Sequence, residues 1–104
     1  MTAAATGPLE IELRHEPDLA RYTLWQDGRT VGLVYYRVTP SEVRFIHTEV
    51  DPARRGLGLA GRLIEFALDD VHARTDLRIV AECSYVEKWI DDHAEYQDLL
   101  TRGI

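Results

Sequence analysis

Three glycines crowd one stretch of the chain, Asp51-Pro52-Ala53-Arg54-Arg55-Gly56-Leu57-Gly58-Leu59-Ala60-Gly61-Arg62, and their spacing bears on chemistry. Asp51 as an N-cap, followed by Pro52 as the first helical residue, would be an ordinary helix start. Gly56, Gly58 and Gly61 would then all lie inside the helix, costing on the order of 2–3 kcal/mol relative to alanine. Small domains are stable by only about 5–15 kcal/mol, so that cost is heavy. The alternative is a turn over Asp51–Arg54 and a helix that opens near Gly56. Glycines there let backbone approach a ligand closely and leave amide N–H groups pointing outward. A helix N-terminus with bare amides is an anion site, above all for phosphate. No Ser, Thr, Asp or Asn directly precedes Gly56 to cap those amides, and Arg54, Arg55 and Arg62 add positive charge. A Walker loop is rejected because Gly-Lys-Ser/Thr is absent. A dinucleotide fingerprint is rejected because it needs a leading β-α-β unit in a larger domain.

Two further residues have side chains suited to proton or acyl chemistry. An imidazole with an unperturbed pKa of about 6.5 accepts protons near neutrality, which makes His47 a candidate. On a regular strand it shares a face with Val43, Phe45 and Glu49, provided no bulge intervenes; a structural histidine is the competing account. Cys83 falls between an expected strand and an expected helix, where the helix dipole lowers a thiol pKa. Its competing account is a small buried hydrophobe. Glu49 is a base acting through water or a solvated strand carboxylate. Tyr85, Trp89 and Tyr96 read as core or contact aromatics, and Ser84 as the N-cap of the last helix. His15, His72 and His93 show no metal-ligand spacing, so no metal site is expected. As the only cysteine, Cys83 also excludes an internal disulfide and a Cys-built zinc cluster.

These groups must be positioned by a chain of 104 residues, enough for one domain with one modest core. With 45% apolar and 29% charged residues the chain is of globular type, and disorder or coiled coil is a poor reading. Twelve basic against 18 acidic residues give a net charge of -6, which argues against nucleic acid as a partner. No apolar run approaches the ~20 residues of a membrane helix, and the first eight residues lack the pattern of a secretory signal. A cytoplasmic location and no membrane partner are the expectations. Residues 1–8 read as a disordered N-terminus and residues 9–104 as the domain.

Leu9–Leu13 alternates apolar and acidic residues like a strand that His15-Glu16-Pro17-Asp18 ends. Arg21–Gln26 is the second expected strand, Asp27-Gly28 a hairpin turn, and Thr30–Val38 the third strand. Glu42–Val50 is the fourth. Ala60, Leu63, Ile64, Ala67, Leu68 and Val71 then form the apolar stripe of an amphipathic helix. Arg78–Cys83 reads as a fifth strand and Ser84–Leu100 as a helix that His93–Tyr96 can interrupt. The expected architecture is a mixed α/β (α+β) domain with a mostly antiparallel sheet of about five strands.

At Arg55-Gly56-Leu57-Gly58-Leu59-Ala60, after a strand and before a helix, the sequence resembles the GCN5-related N-acetyltransferase (GNAT) family, whose coenzyme A loop reads Arg/Gln-x-x-Gly-x-Gly/Ala. His47-Thr48-Glu49-Val50 and Cys83-Ser84-Tyr85-Val86 sharpen the resemblance to a small subclass of minimal members of this length. The match spans about Ile11–Leu100 and implies a minimal GNAT fold with a central helix that binds coenzyme A and a C-terminal helix. It implies acetyl-CoA as the acyl donor and an amine, small or on a protein lysine, as the acceptor. It places the pyrophosphate on the amides of Gly56, Leu57, Gly58, Leu59, Ala60 and Gly61 beside Arg55. It places the thioester carbonyl near the backbone of Glu49 and Val50, with His47 and Cys83 as catalytic residues. Tyr85 is a further candidate to protonate the sulfur. The helices that wall the amine pocket in larger relatives are missing, so the acceptor groove should be open and the chain a monomer or weak homodimer. A coenzyme A-binding module without turnover, acting as a sensor or subunit, is the alternative function. A scaffold that has lost the ligand is a third, against which the retained glycines argue.

Overall fold

A computed structural model describes residues 10–54 and 56–103. The expected disordered segment, residues 1–8, lies outside the described residues, as does Arg55.

Five strands form one sheet in the order β1-β2-β3-β4-β5. They are β1 (Glu12–Glu16), β2 (Arg21–Gln26), β3 (Arg29–Val38), β4 (Glu42–Val50) and β5 (Arg78–Ala81). The first four pair antiparallel, and β4 pairs with β5 in parallel. The crossover between β4 and β5 is helix α1 (Leu59–Arg74), and α2 (Ser84–Asp91) follows β5. Short 3-10 turns fill Pro17–Leu19, Pro52–Arg54 and Ala94–Leu100. Asp27 and Gly28 both take positive φ, 54° and 78°, as a two-residue hairpin of right-handed twist requires. Among the described residues no helix is long and apolar enough to cross a membrane.

The alternation expected over Leu9–Leu13 does not locate the first strand. Pairing with β2 does: Glu12 faces Trp25 and Glu16 faces Arg21, so β1 runs three residues later and includes His15 and Glu16. A tight 3-10 turn with Ala20 at φ 52° closes this hairpin. His15 stacks on Tyr22 at 4.2 Å, and Glu16 pairs with Arg21 at 2.6 Å.

Helix α1 opens at Leu59, not at Gly56. Gly56 and Gly58 have φ of 85° and 75°, a left-handed backbone that no helix continues through. Leu63, Ile64, Ala67, Leu68 and Val71 are all buried, as the stripe predicts, and Ala60 is half-buried. They pack on Tyr22, Leu24, Val34, Val43 and Phe45 from the sheet, and α2 adds Val86 and Ile90 to the same core.

Strand β5 ends at Ala81, two residues early, because the amides of Glu82 and Cys83 both turn onto the Phe45 carbonyl, at 2.9 and 3.0 Å. Ser84 is not a cap. Cys83 is the N-cap, with extended φ -81° and ψ 126° and no side-chain cap bond, and Ser84 is the first helical residue. The predicted Ser84–Leu100 helix breaks after Asp91. There the His93 ring lies 2.6 Å through Nδ1 from the Trp89 carbonyl and stacks on the Trp89 indole, diverting an acceptor that a longer helix would use.

Candidate active site

Pairing between β4 and β5 reaches Phe45 opposite Ala81 and stops there, while β4 continues to Val50. The two strands therefore part, and their separation opens a cleft. At the same level β4 carries a bulge: Tyr36 faces Phe45 and Tyr35 faces His47, which leaves Ile46 without a partner. A surplus residue inverts the side-chain alternation of the strand beyond it. Val43 and Phe45 point into the core, and past the bulge Thr48 and Val50 take over that inner face. His47 and Glu49 are turned to the outer face of the sheet, opposite Tyr35 and Leu33. The expected grouping of His47 and Glu49 with Val43 and Phe45 is thus corrected, for the reason on which it was conditional.

On the inner side lies a cleft of about 500 Å³, within the range of small-molecule sites. Among the described residues it is lined by Thr48 and Val50 of β4, Arg54, Gly56 and Gly58 of the connecting loop, Leu59 and Ala60 of α1, and Tyr85 of α2. The sites where a Cβ would stand on Gly56 and Gly58 have no heavy atom within 4 Å. Gly58 is the N-cap of α1; no side chain caps the helix and its first turn holds no acidic residue. Leu57 is exposed between the two glycines. Gly61 faces elsewhere, since a Cβ there would come within 3.3 Å of the Trp89 indole nitrogen. Its lack of a side chain lets α2 close on α1.

Arg54 shapes the loop that carries the glycines. Its guanidinium donates to Gln26 Oε1 at 2.7 Å and to Asp51 Oδ2 at 2.6 Å, pinning the loop to the β2–β3 hairpin. Asp51 Oδ1 accepts from the Ala53 amide at 2.9 Å, which completes the turn expected over these residues.

Cys83 stands where β5 turns into α2. Thr48 Oγ1 lies 3.4 Å from Cys83 Sγ. Burial pushes this thiol up. The Thr48 hydroxyl and the amides of Val86, Tyr85 and Thr48 point at sulfur and outweigh it, so the net pKa is below the ordinary thiol value. The positive end of α2 acts in the same direction. Since the Thr48 amide faces Cys83, alternation turns the Val50 amide to the same side, toward the space β5 has left, and the Glu49 amide toward β3.

His47 and Glu49 form an exposed pair, Nε2 to Oε2 at 2.9 Å, at the outer mouth of the parted strands. Tyr85, expected in the core, is 44% exposed on the cleft wall. Thr48 is the site residue that residue types alone did not single out, because only the bulge turns it inward. Among the described residues no group of three or more His, Cys, Asp or Glu side chains could hold a metal ion.

The family model for GCN5-related N-acetyl-transferases matches residues 21–99. Protein NATD1 of Gallus gallus is 34% identical over 98 residues, covering 88% of this chain and 87% of that protein. Protein NATD1 of Homo sapiens is also 34% identical, covering 88% and 85%. Among solved structures, the ribosomal-protein-S18-alanine N-acetyltransferase of Escherichia coli superposes with a TM-score of 0.59 at 18% identity, over 69% of this chain and 49% of that one. N-acetylglutamate synthase of Neisseria gonorrhoeae, complexed with coenzyme A and N-acetyl-glutamate, gives 0.58 at 15% identity, over 85% of this chain and 26% of that one. The chain thus spans about half of the first enzyme and a quarter of the second, and shares their fold. With the family match over most of its length, the chain belongs to the GCN5-related N-acetyltransferase family.

Proposed function

We propose that this protein is an N-acetyltransferase that takes its acyl group from acetyl-CoA and delivers it to an amine. The observation that carries the reading is the parting of β4 from β5 beyond Phe45, with the uncapped glycine loop at one end of the gap and Cys83 at the other. The residues present fit coenzyme A: open space above Gly56 and Gly58, no acidic residue in the first turn of α1, and a cleft of suitable size. Acetyl-CoA supplies an acyl group already activated as a thioester.

The chain's own residues do the rest. The amides of Gly56, Leu57, Gly58, Leu59 and Ala60 receive the diphosphate at the positive end of α1. Arg55 remains a candidate for the same anion by its place in the loop. Val50 offers a strand amide to the acyl arm; Glu49, whose amide belongs to β3, contributes through its carboxylate instead. Cys83, its pKa lowered by Thr48 and the α2 amides, is the proton source for the leaving sulfur. His47, oriented by Glu49, accepts the proton of an amine entering from the outer face. No helix among the described residues wraps that mouth, so the groove suits an amine carried on a larger molecule.

Calorimetric titration with acetyl-CoA should be saturable for the wild type and abolished by Gly58→Glu, which puts a carboxylate where phosphate would sit. Transfer to a panel of amines should fall about 10²- to 10⁴-fold in His47→Ala and Cys83→Ala with binding retained, the usual worth of proton transfer catalysis. Binding with no transfer to any amine would instead support a coenzyme A-binding module. Variants that turn over like the wild type would overturn both residue assignments.

A further inference from the structure

Thr23 and Gln26 are the buried polar residues among the described ones, and Gln26 is only 4% exposed. It ends β2, where an apolar residue would serve the core and avoid the cost of burying an amide. The amide has a partner far along the chain: Gln26 Oε1 accepts from Arg54 Nε at 2.7 Å. The same guanidinium donates to Asp51 Oδ2 at 2.6 Å and stands 3.9 Å from Asp27 Oδ2. Three acceptors thus surround one cation, whose side chain is 16% exposed although it borders the cleft. A planar guanidinium held at separate nitrogens has a fixed orientation, which a single contact would not impose.

The backbone around Arg54 is tied as well. The Asp51 amide donates to the Val31 carbonyl at 2.8 Å, and the Arg54 amide to the Asp51 carbonyl at 2.9 Å. Between Arg54 and α1 the chain is of another kind. Gly56 and Gly58 take left-handed φ, Leu57 is exposed, and no side chain caps the helix. Glycine gives up more conformational freedom on ordering than any other residue, and a ligand that rests on this segment must order it. Fixing the leading end of the segment beforehand lowers that cost.

We propose that Gln26 is a positioning residue for the acyl donor: through Arg54 it fixes the start of the glycine segment, and so raises donor affinity without touching the donor. The proposal rests on the acyl-CoA reading above. It extends the donor site to the β2–β3 hairpin, no residue of which lines the cleft among the described residues.

The test is a double-mutant cycle read by calorimetric titration with acetyl-CoA. Gln26→Met keeps the length of the side chain and removes its carbonyl, Gln26→Leu repeats the comparison with a branched one, and Arg54→Met removes the donor. Gln26→Met should weaken acetyl-CoA about tenfold, the order expected for a lost hydrogen bond to a charged group. Arg54→Met should weaken it at least as much, and the double variant no further than Arg54→Met alone. In amine transfer, Gln26→Met should raise KM for acetyl-CoA about tenfold and hold kcat within about twofold. A residue that merely stabilised the fold would not confine its effect to the donor's KM. Without ligand, amide hydrogen exchange should quicken at Gly56–Gly58 in Gln26→Met while the buried turns of α1 keep their protection. Wild-type affinity in the Gln26 variants, full additivity in the double variant, or a fall in kcat with KM unchanged overturns the positioning role and leaves the acyl-CoA reading standing. A wild type that does not bind acetyl-CoA overturns the two together.

Discussion

Cys83 owes its character to its neighbours more than to its own chemistry. A thiol this enclosed would ordinarily resist ionising, and four donors reverse that: the Thr48 hydroxyl and the amides of Thr48, Tyr85 and Val86. Thr48→Val removes one donor at nearly constant volume. A neutral hydrogen bond is worth about 0.5–1.5 kcal/mol, and one pKa unit about 1.4 kcal/mol, so the thiol pKa should rise by up to about one unit. The pH profile of iodoacetamide alkylation should move upward accordingly, while Thr48→Ser leaves it nearly in place. An unmoved profile in Thr48→Val would show that the hydroxyl contributes nothing to the thiolate. His47 is an exposed side chain paired with Glu49. Its part depends on what enters the outer mouth.

Elements place these residues, and their boundaries show what a sequence can and cannot reveal. The glycine loop was legible, because glycines inside a helix are costly: Gly56 and Gly58 stand outside α1, while Gly61 lies within it against Trp89. So were β2, β4 and the apolar stripe of α1, where local pattern and tertiary packing agree. The inward turn of Thr48 was not, since nothing in the residue types of β4 announces that Ile46 lacks a partner. Nor was the start of β1, which is set by pairing with β2 and by His15 packing, both long-range facts. That packing has its own signature. His15 Nε2 lies 2.6 Å from the Tyr36 hydroxyl and Nδ1 lies 3.4 Å from Asp70, which also accepts from Tyr22 and pairs with Arg74. Burial holds the His15 pKa below the ordinary imidazole value; Asp70 opposes this and Arg74 assists it. The unfolded chain therefore binds the proton more readily. This group's contribution to stability is complete above about pH 6.5 and is lost as pH falls from there toward the lower folded-state pKa. Urea midpoints should decline as pH falls below about 6.5, the ordinary imidazole value. His15→Gln should flatten that segment, and an equal slope in the variant would exclude His15 as its source.

As a whole molecule, the protein is one sheet with both helices sending their buried residues into a single core. The glycine loop, the parted strands and α2 belong to the same small cooperative unit, so ligand binding should report on global stability. At a hundredfold excess of free coenzyme A over its Kd, linkage adds about 2.7 kcal/mol. For a domain of this length that corresponds to a rise in Tm of roughly 10–20 °C. Differential scanning fluorimetry should show it in the wild type and not in Gly58→Glu. A saturating ligand that leaves Tm unchanged would mean that it does not favour the folded state.

One surplus residue at Ile46 sorts the last stretch of β4, sending Thr48 and Val50 to one side and His47 and Glu49 to the other. Excising it would trade the two sets, thrusting an imidazole and a carboxylate into the cleft and turning away the threonine that lies beside the Cys83 sulfur. Ile46 is itself exposed, so exchanging its side chain should cost little, whereas losing or doubling the residue should undo the cleft: the spelling there is negotiable and the letter count is not.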